Sequence, residues 1–428
     1  MALMFIVQSA SFCGKMVYKE RWWQEMKQLL IHMDQLHTQA AVVKEGVLTD
    51  FFVEQTKARS LVGNIYKGIV KNVLPGMQAA FVDIGLMKNA FIYVDDLLDP
   101  NMDKQPQHKP AISQLVHPGQ ELIVQVVKDA FGNKGARVTT HYNLAGRWLV
   151  YMPSADYIGV SKKLDDETER ERLRGIAGSF LQAPEGMIMR TAAIGETKEA
   201  LKSDIVHLRE LWHDIKHRAE ALEGPCLLHN EEQLLQRVFR DFFSNEVDAI
   251  WVSSKELEAE VTMILKLISP HHTPMIRCYM QTAHSIISHF SINKQLLAAF
   301  ERKIPLASGG YIVWEKTEAL TVIDVNTGKF VGHSDLEETL FQTNKEAAEL
   351  IARLLRIRDT GGMIIIDFID MEQEDSRSKI YKLLNQALKA DAAKCVVFGW
   401  TKLGLMELTR KKTRDSYTAK YLQEIELK

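Results

Sequence analysis

The chain has 428 residues, 46% of them hydrophobic and 25% charged, with a formal net charge of −2 at pH 7. That is enough apolar chain for several cores and two to four domains. The near-neutral balance excludes a strongly basic, nonspecific nucleic-acid binder while leaving room for local basic patches.

Met1 to Cys13 is apolar, yet it lacks a basic leader region and is too short to span a bilayer, and no other stretch reads as a transmembrane segment. Met26 opens the strand-like run KQLLIHMD. Residues 1–25 therefore read as an N-terminal extension, with the start of translation open between Met1 and Met26. The cysteines Cys13, Cys226, Cys278 and Cys395 show no CxxC spacing. Their scatter suits a reducing cytosol and a cytoplasmic protein, and it offers no zinc motif.

From Leu61 to about Thr140 the chain reads as all-β: GNIYKGIVKNV, MQAAFVDIG, NAFIYV, ELIVQVVKDA and ARVTTHYNL are five short strands, with a turn at Leu74-Pro75-Gly76. Five such strands suit a Greek-key barrel of the OB type, with the polar insert from Asp99 to Pro110 as a loop. On such a barrel, exposed aromatics stack unpaired bases and lysines neutralise phosphates, which makes Phe81, Phe91 and Lys134 candidates; the alternative for each Phe is a place in the barrel core. Helical and strand patterns then mix. RERLRGIAGSFLQAPEG reads as a helix with a Pro/Gly stop, GMIMRTAAIG as a strand into a Gly turn, and ETKEALKSDIVHLRELWHDIKHRAEAL as a long helix. Arg190 and Thr191 end that strand, where a guanidinium beside a hydroxyl can hold a phosphate, or simply a surface carboxylate. An α/β pattern follows to Phe300. Its pair His271-His272 lacks metal-ligand spacing, and no HExxH, GxSxG or P-loop occurs.

The segment Ala319 to Met371 carries the sharpest chemistry. ALTVIDVNTG and MIIIDFIDM are short apolar runs with an acid near each C-terminal end, Asp324 and Asp367. Between them, Ser334 or Asp335 can cap a helix with Glu337 and Glu338 in its first turn. Leu350, Ile351, Leu354 and Leu355 recur at helical spacing, Arg353, Arg356 and Arg358 load the last turn, and Gly361 and Gly362 end it. Strand, helix, strand predicts a right-handed βαβ unit whose parallel strands end on one sheet edge, where ligands of such sheets bind. Carboxylates in apolar strands must be paired, hydrogen-bonded or metal-bound, so a divalent metal is one reading, and pairing with the neighbouring arginines is the other. The late run Arg410-Lys411-Lys412 reads as a solvated helix face, with contact to nucleic-acid phosphate as the alternative.

Taken together, GNIYKGIVKNVLPGMQAAFVDIGLMKNAFIYVDDLL, GNKGARVTT, GMIMRTA, SGGYIVWEKTEALTVIDVNTGKF, TNKEAAELIARLLRIRDTGGMIIIDFIDM and KLGLMELTRKKTR resemble the catalytic region of the bacterial ribonuclease E/G endoribonucleases, on the G side of that family. The likeness runs from about Met26 to Ser416. It implies an α/β multidomain (α+β) fold: a split RNase H-like domain at 26–60 and 236–300, an inserted S1-type OB domain at 61–140, a 5′-sensor domain at 141–235, a DNase I-like catalytic domain at 301–421, and a tail at 422–428.

For sites, the resemblance implies Asp324 and Asp367 as magnesium-binding aspartates and Asn326 as the asparagine that helps hold the attacked phosphate. It implies Phe81, Phe91 and Lys134 as the clamp on single-stranded RNA, and Arg190 with Thr191 as the 5′-monophosphate pair, with Gly146 and Val150 lining their pocket. The implied activity is Mg²⁺-dependent hydrolysis of single-stranded, AU-rich RNA to 5′-phosphate and 3′-hydroxyl products, in ribosomal RNA maturation or messenger decay, with Mn²⁺ as a substitute. Much of the family continues into a CPxC zinc-link and a small dimerisation domain. This sequence has neither before Lys428, so the expectation is no zinc and a monomer or weak homodimer rather than a tetramer, on a chain that is either naturally short or truncated. The rival expectation is a non-catalytic RNA-binding protein acting through the OB domain.

Overall fold

The computed structural model describes residues 26–55, 60–99, 109–130, 134–231, 233–243, 246–268, 274–280, 285–328, 336–411 and 418–426. The N-terminal extension, the His271-His272 pair, the Ser334 or Asp335 cap and most of the Asp99–Pro110 insert lie outside the described residues. The chain divides into two compact units, one made of the segments before Ser60 and after Phe242, the other spanning Ser60–Phe242.

The first unit opens with an antiparallel meander, β1 (Lys27–Met33), β2 (His37–Lys44) and β3 (Val47–Gln55). Glu45 and Gly46 join β2 to β3 with φ of 53° and 76°, the two positive values that a tight two-residue hairpin requires.

The second unit contains the expected barrel. Strands β4 (Ile65–Leu74), β5 (Ala79–Asp83), β6 (Ala90–Tyr93), β7 (Glu121–Lys128) and β8 (Arg137–Thr139) hydrogen-bond in the order β4-β5-β6-β8-β7, and β7 pairs back onto β4 to close the ring. Inward positions hold Tyr66, Val70, Val82, Ile92, Val124 and Val138, so the alternation read in the sequence is that of a filled barrel interior. Beyond it, β9 (Leu144–Ala145), β10 (Leu149–Met152), β11 (Ile158–Val160) and β12 (Gly186–Met189) form a small sheet with the helices Glu167–Phe180 and Lys198–Ala221. Asp166 accepts from the N–H groups of Thr168 and Glu169, and Thr197 from that of Ala200, so each helix begins on a side-chain cap. β13 (Cys226–His229) then returns to the barrel and pairs with β4, and the helix Leu234–Phe242 ends the unit.

Back in the first unit, β14 (Ala249–Val252) and β15 (Met275–Cys278) add to β1 in parallel, completing a five-stranded sheet of order β15-β14-β1-β2-β3. A second sheet follows, from β16 (Lys303–Pro305), β17 (Tyr311–Lys316), β18 (Leu320–Asn326), β19 (Gly362–Asp367), β20 (Cys395–Trp400) and β21 (Met406–Arg410), in the order β16-β17-β18-β19-β21-β20. The predicted βαβ unit is present: β18 and β19 are parallel neighbours joined by the helix Leu336–Ile357. That helix buries Ala347, Ile351, Leu354 and Leu355 in a core that also takes Leu30, Ala41 and Phe51 from the β1–β3 meander. The residues from 422 onward, read as a tail, begin inside the helix Thr418–Glu426, whose Tyr421 is buried and donates to Gln39 Oε1 at 3.0 Å.

Two local readings change. The long helix is closed by Asp359 rather than by Gly361 and Gly362. Asp359 sits at φ 46°, its N–H donates to the Arg356 carbonyl, and the Thr360 N–H donates to the Leu355 carbonyl. That is a Schellman turn with an aspartate in the left-handed position, which short polar side chains tolerate better than most. Arg410 is also not on a solvated helix face. It ends strand β21, is 6% exposed, and binds Asp391 (2.7 Å) and Asp359 (2.7 Å), so it ties the helix terminus to the sheet. Of its run, Lys411 is exposed and Lys412 lies outside the described residues.

Removing one partner of a buried ion pair leaves an uncompensated charge. Arg410→Ala should therefore lower unfolding stability by about 3–5 kcal/mol in urea titrations; a loss under about 1 kcal/mol would show that the cluster carries little.

Candidate active site

Parallel pairing of β18 with β19 puts Asp324 opposite Asp367 in register, at the C-terminal ends of both strands. The strand β18 alternates buried and half-buried positions, and the acids lie on its open face: Asp324 is half-buried and Asp367 exposed. The sequence reading of two acids inside fully apolar strands is thus corrected, because Ile323, Val325, Ile364 and Ile366 fill the opposite, buried face. Asn326 donates from Nδ2 to Asp324 Oδ2 at 2.7 Å, fixing that carboxylate from the next position on the same face. Among the described residues neither carboxylate meets a lysine, arginine or histidine. Partial burial, then the charges of Asp324 and Asp370, push the Asp367 carboxyl above its ordinary range.

The neighbouring arginines are engaged elsewhere, which removes the alternative of simple ion pairing. Arg356 binds Asp50 at 2.9 Å, Arg358 donates to the Ala299 and Glu301 carbonyls at 2.6 Å each, and Arg353 donates to the Leu48 carbonyl. The loop after β19 is held by two residues that sequence reading passed over. Asn344, fully buried, donates to the Ile369 carbonyl (2.8 Å) and accepts from its N–H (3.0 Å). Glu337 accepts from the N–H groups of Glu372 (3.1 Å) and Gln373 (3.2 Å). A polar residue on the apolar face of an amphipathic helix was the available signal for Asn344.

Two carboxylates side by side with no cation partner fit a hard divalent ion. Magnesium is commonly held by one or two carboxylates, with water and substrate oxygens completing its shell. Among the described residues no three His, Cys, Asp or Glu converge to hold an ion, so the pair would act without a dedicated protein cage.

On the barrel, Phe81 and Phe91 are direct cross-strand partners on the outer face, and Phe81 is 38% exposed. Phe91 meets Tyr93 edge-to-face at 5.4 Å, and the Arg137 guanidinium lies 5.1 Å from the Tyr93 ring. The two predicted aromatics therefore belong to a larger surface that includes Tyr93 and Arg137, neither singled out from sequence. Lys134 is exposed just before Gly135, whose backbone packs so closely on Asn89 that a Cβ would lie 1.9 Å from its carbonyl oxygen. This sets Lys134 beside the start of β6, the strand of Phe91.

The predicted phosphate pocket is partly assembled. Arg190 donates to the Gly146 carbonyl at 2.7 Å and pairs with Asp241 at 2.5 Å, while the Thr191 and Ser161 hydroxyls lie 3.0 Å apart. Val150 pairs across β10–β12 with Ile188, two residues before Arg190. A Cβ at Gly146 would lie 2.5 Å from the Asp204 carboxylate, which accepts from the N–H groups of Arg147, Trp148 and Leu149 and would have to shift. Burial raises the Asp204 pKa against those bonds. Burial also acts to raise Asp241, but Arg240 and Arg190 outweigh it and hold that acid below its ordinary range. Asp241, 51 residues from Arg190, was not visible as its partner in the sequence.

A raised carboxyl pKa in the folded state means that ionised Asp367 works against folding, and that this cost disappears as pH falls through its folded pKa. At neutral pH, Asp367→Asn should then keep or raise the thermal unfolding midpoint; a lower midpoint would contradict the repulsion.

A sequence profile described as the ribonuclease E/G family matches residues 143–413. The chain is 43% identical over 394 residues to Ribonuclease G of Escherichia coli (strain K12), covering 91% of this chain and 80% of that relative. It is 41% identical over 395 residues to Ribonuclease G of Haemophilus influenzae, with the same coverage. It is 38% identical over 389 residues to Ribonuclease E of Nostoc sp., covering 90% of this chain and 56% of that relative. This chain belongs to the ribonuclease E/G family.

Proposed function

We propose that the protein is a metal-dependent endoribonuclease that hydrolyses single-stranded RNA at the edge carrying Asp324 and Asp367. The observation that carries this reading is their register: two carboxylates face each other at the ends of parallel strands, with no cation beside them among the described residues. The names of the relatives, Ribonuclease G and Ribonuclease E, support the same chemistry. In this reading the β16–β21 sheet belongs to a DNase I-like catalytic domain. The sheet of β1–β3 with β14 and β15 is the split RNase H-like domain, and the barrel and the β9–β12 layer are the inserted S1-type and 5′-sensor domains.

Asp324 and Asp367 would hold Mg²⁺, or Mn²⁺ in its place, and the ion would supply Lewis-acid polarisation of the scissile phosphate and a more acidic water. Asn326 would help hold the attacked phosphate, and its Nδ2 also orients the Asp324 carboxylate through their hydrogen bond. Asn344 holds the turn after Asp367 in place through both polar groups of the Ile369 backbone. Hydrolysis at phosphorus with loss of the 3′ oxygen gives a 5′-phosphate and a 3′-hydroxyl.

Strand selection is assigned to the second unit. Phe81 and Phe91 offer adjacent ring faces for base stacking, which tolerates any base identity and requires unpaired RNA. Arg190 and Thr191, with Gly146 and Val150 around them, would take a terminal 5′-monophosphate. A phosphate arriving there competes with Asp241 for the Arg190 guanidinium.

Cleavage of a short 5′-monophosphorylated AU-rich strand with Mg²⁺, and none with EDTA, is the expected behaviour of the wild type. Asp324→Asn and Asp367→Asn should each reduce that rate by at least about a hundredfold, the scale of losing one charge-stabilising group. Wild-type rates in either variant would refute the assignment, and binding without cleavage by the wild type would make the chain a non-catalytic RNA binder. Arg190→Ala should bring the cleavage rates of 5′-monophosphorylated and 5′-hydroxyl substrates together. Unchanged discrimination in that variant would remove the sensor role.

A further inference from the structure

The open face of the β16–β21 sheet carries more than the acid pair. Lys303 pairs with Val313, Val313 with Asp324, and Asp324 with Asp367, so these four positions form one row across four strands on one face. The next row holds Pro305, Tyr311 and Asn326. Alternation along β16 and β17 leaves Ile304 and Ile312 buried on the opposite side. Lys303 and Tyr311 thus flank the acids on the surface that faces away from the core.

The two residues are in direct contact. The Lys303 ammonium lies 3.6 Å from the centre of the Tyr311 ring, and among the described residues it has no carboxylate partner, whereas the preceding Arg302 is paired with Glu315. In the shared row the half-buried Val313 stands between Lys303 and Asp324, while Tyr311 is the direct register partner of Asn326. A Cβ on Gly310 would lie 2.6 Å from the Asn326 carbonyl oxygen, and one on Gly328 would lie 2.5 Å from the Gly309 carbonyl oxygen. The turn between β16 and β17 therefore packs against the IDVNTG segment as backbone on backbone, which fixes the register that sets Tyr311 beside Asn326. With strands about 4.8 Å apart and about 3.4 Å per residue, Tyr311 is about 8 Å from Asp324, within reach of a single extended nucleotide.

We propose that Tyr311 and Lys303 form a nucleotide subsite beside the acid pair: the tyrosine ring stacks the base next to the scissile phosphate, and the lysine ammonium holds that nucleotide's own phosphate. The proposal rests on the nuclease reading above. An aromatic ring stacks any base, and an ammonium already seated on it is a compact cation that can turn to a phosphate oxygen without crossing bulk solvent. The subsite orients the backbone so that the scissile phosphate falls between Asn326 and the two acids, and it therefore acts on kcat as well as on KM.

The test is a base-deletion scan. A 5′-monophosphorylated single strand with one mapped cleavage position is prepared with an abasic nucleotide at each position in turn, and kcat/KM is measured in Mg²⁺ for the wild type, Tyr311→Ala, Tyr311→Phe, Lys303→Ala and Lys303→Arg. In the wild type, loss of one of the two bases flanking the cut should reduce kcat/KM about tenfold, the scale of one stacked base. The same deletion should be silent in Tyr311→Ala, which on the intact strand is already reduced by a similar factor, while Tyr311→Phe matches the wild type. Lys303→Ala should lose activity and Lys303→Arg regain most of it, with the difference shrinking at high salt.

If no flanking base matters to the wild type, or if its deletion costs as much in Tyr311→Ala as in the wild type, the subsite is refuted. The first of these needs no variant, so it holds even if Tyr311→Ala fails to fold. A wild type that cleaves no strand at all overturns the nuclease reading, an outcome distinct from an active enzyme indifferent to Tyr311.

Discussion

Placing two like charges next to each other at the end of a sheet works against folding, and the unit that carries Asp324 and Asp367 has to hold them side by side against that repulsion. The βαβ crossover brings Asp324 and Asp367 into register because β18 and β19 are parallel neighbours. Their buried faces, Ile323 and Val325 against Ile364 and Ile366, anchor the two strands side by side in the core. The turn that follows is pinned by Asn344, and the far end of the crossover helix is closed by Asp359 and tied down through Arg410. A divalent ion between the acids would turn the repulsion into attraction, which is the physical link between this fold and metal-assisted hydrolysis.

The second unit handles charge in the opposite way. Its phosphate-competent guanidinium, Arg190, is kept occupied by Asp241 and by the Gly146 carbonyl. In the proposed sensor reading an anion would gain there only by its advantage over a carboxylate already in place, so discrimination between 5′ ends would arise from a difference of affinities rather than from an empty pocket. In the same proposal the barrel surface would add binding without base identity, through the ring pair Phe81 and Phe91 with Tyr93 and Arg137 alongside.

Much of this was legible in the chain because it depends on local pattern. The five barrel strands follow from alternation, and β18, β19 and their helix follow from apolar runs and helical spacing. Asn326, Gly146 and Val150 came only through family resemblance, since nothing in their spacing marks them. What failed to show was set by long-range pairing. Arg410 looked like part of a solvated basic run because its partners, Asp391 and Asp359, are 19 and 51 residues away. Asp241 was hidden from Arg190 for the same reason. Gly361 and Gly362 suggest a glycine stop for the long helix, whereas Asp359 two residues before Gly361 already takes the left-handed position.

The central claim is that Asp324 and Asp367 together hold a divalent ion. A titration of Mn²⁺ into the wild type and into Asp324→Asn and Asp367→Asn, followed by the electron paramagnetic resonance signal of the free ion, tests it without reference to cleavage. The account predicts saturable binding by the wild type that is lost in both variants while both remain folded. Equal binding by the wild type and either variant would contradict it.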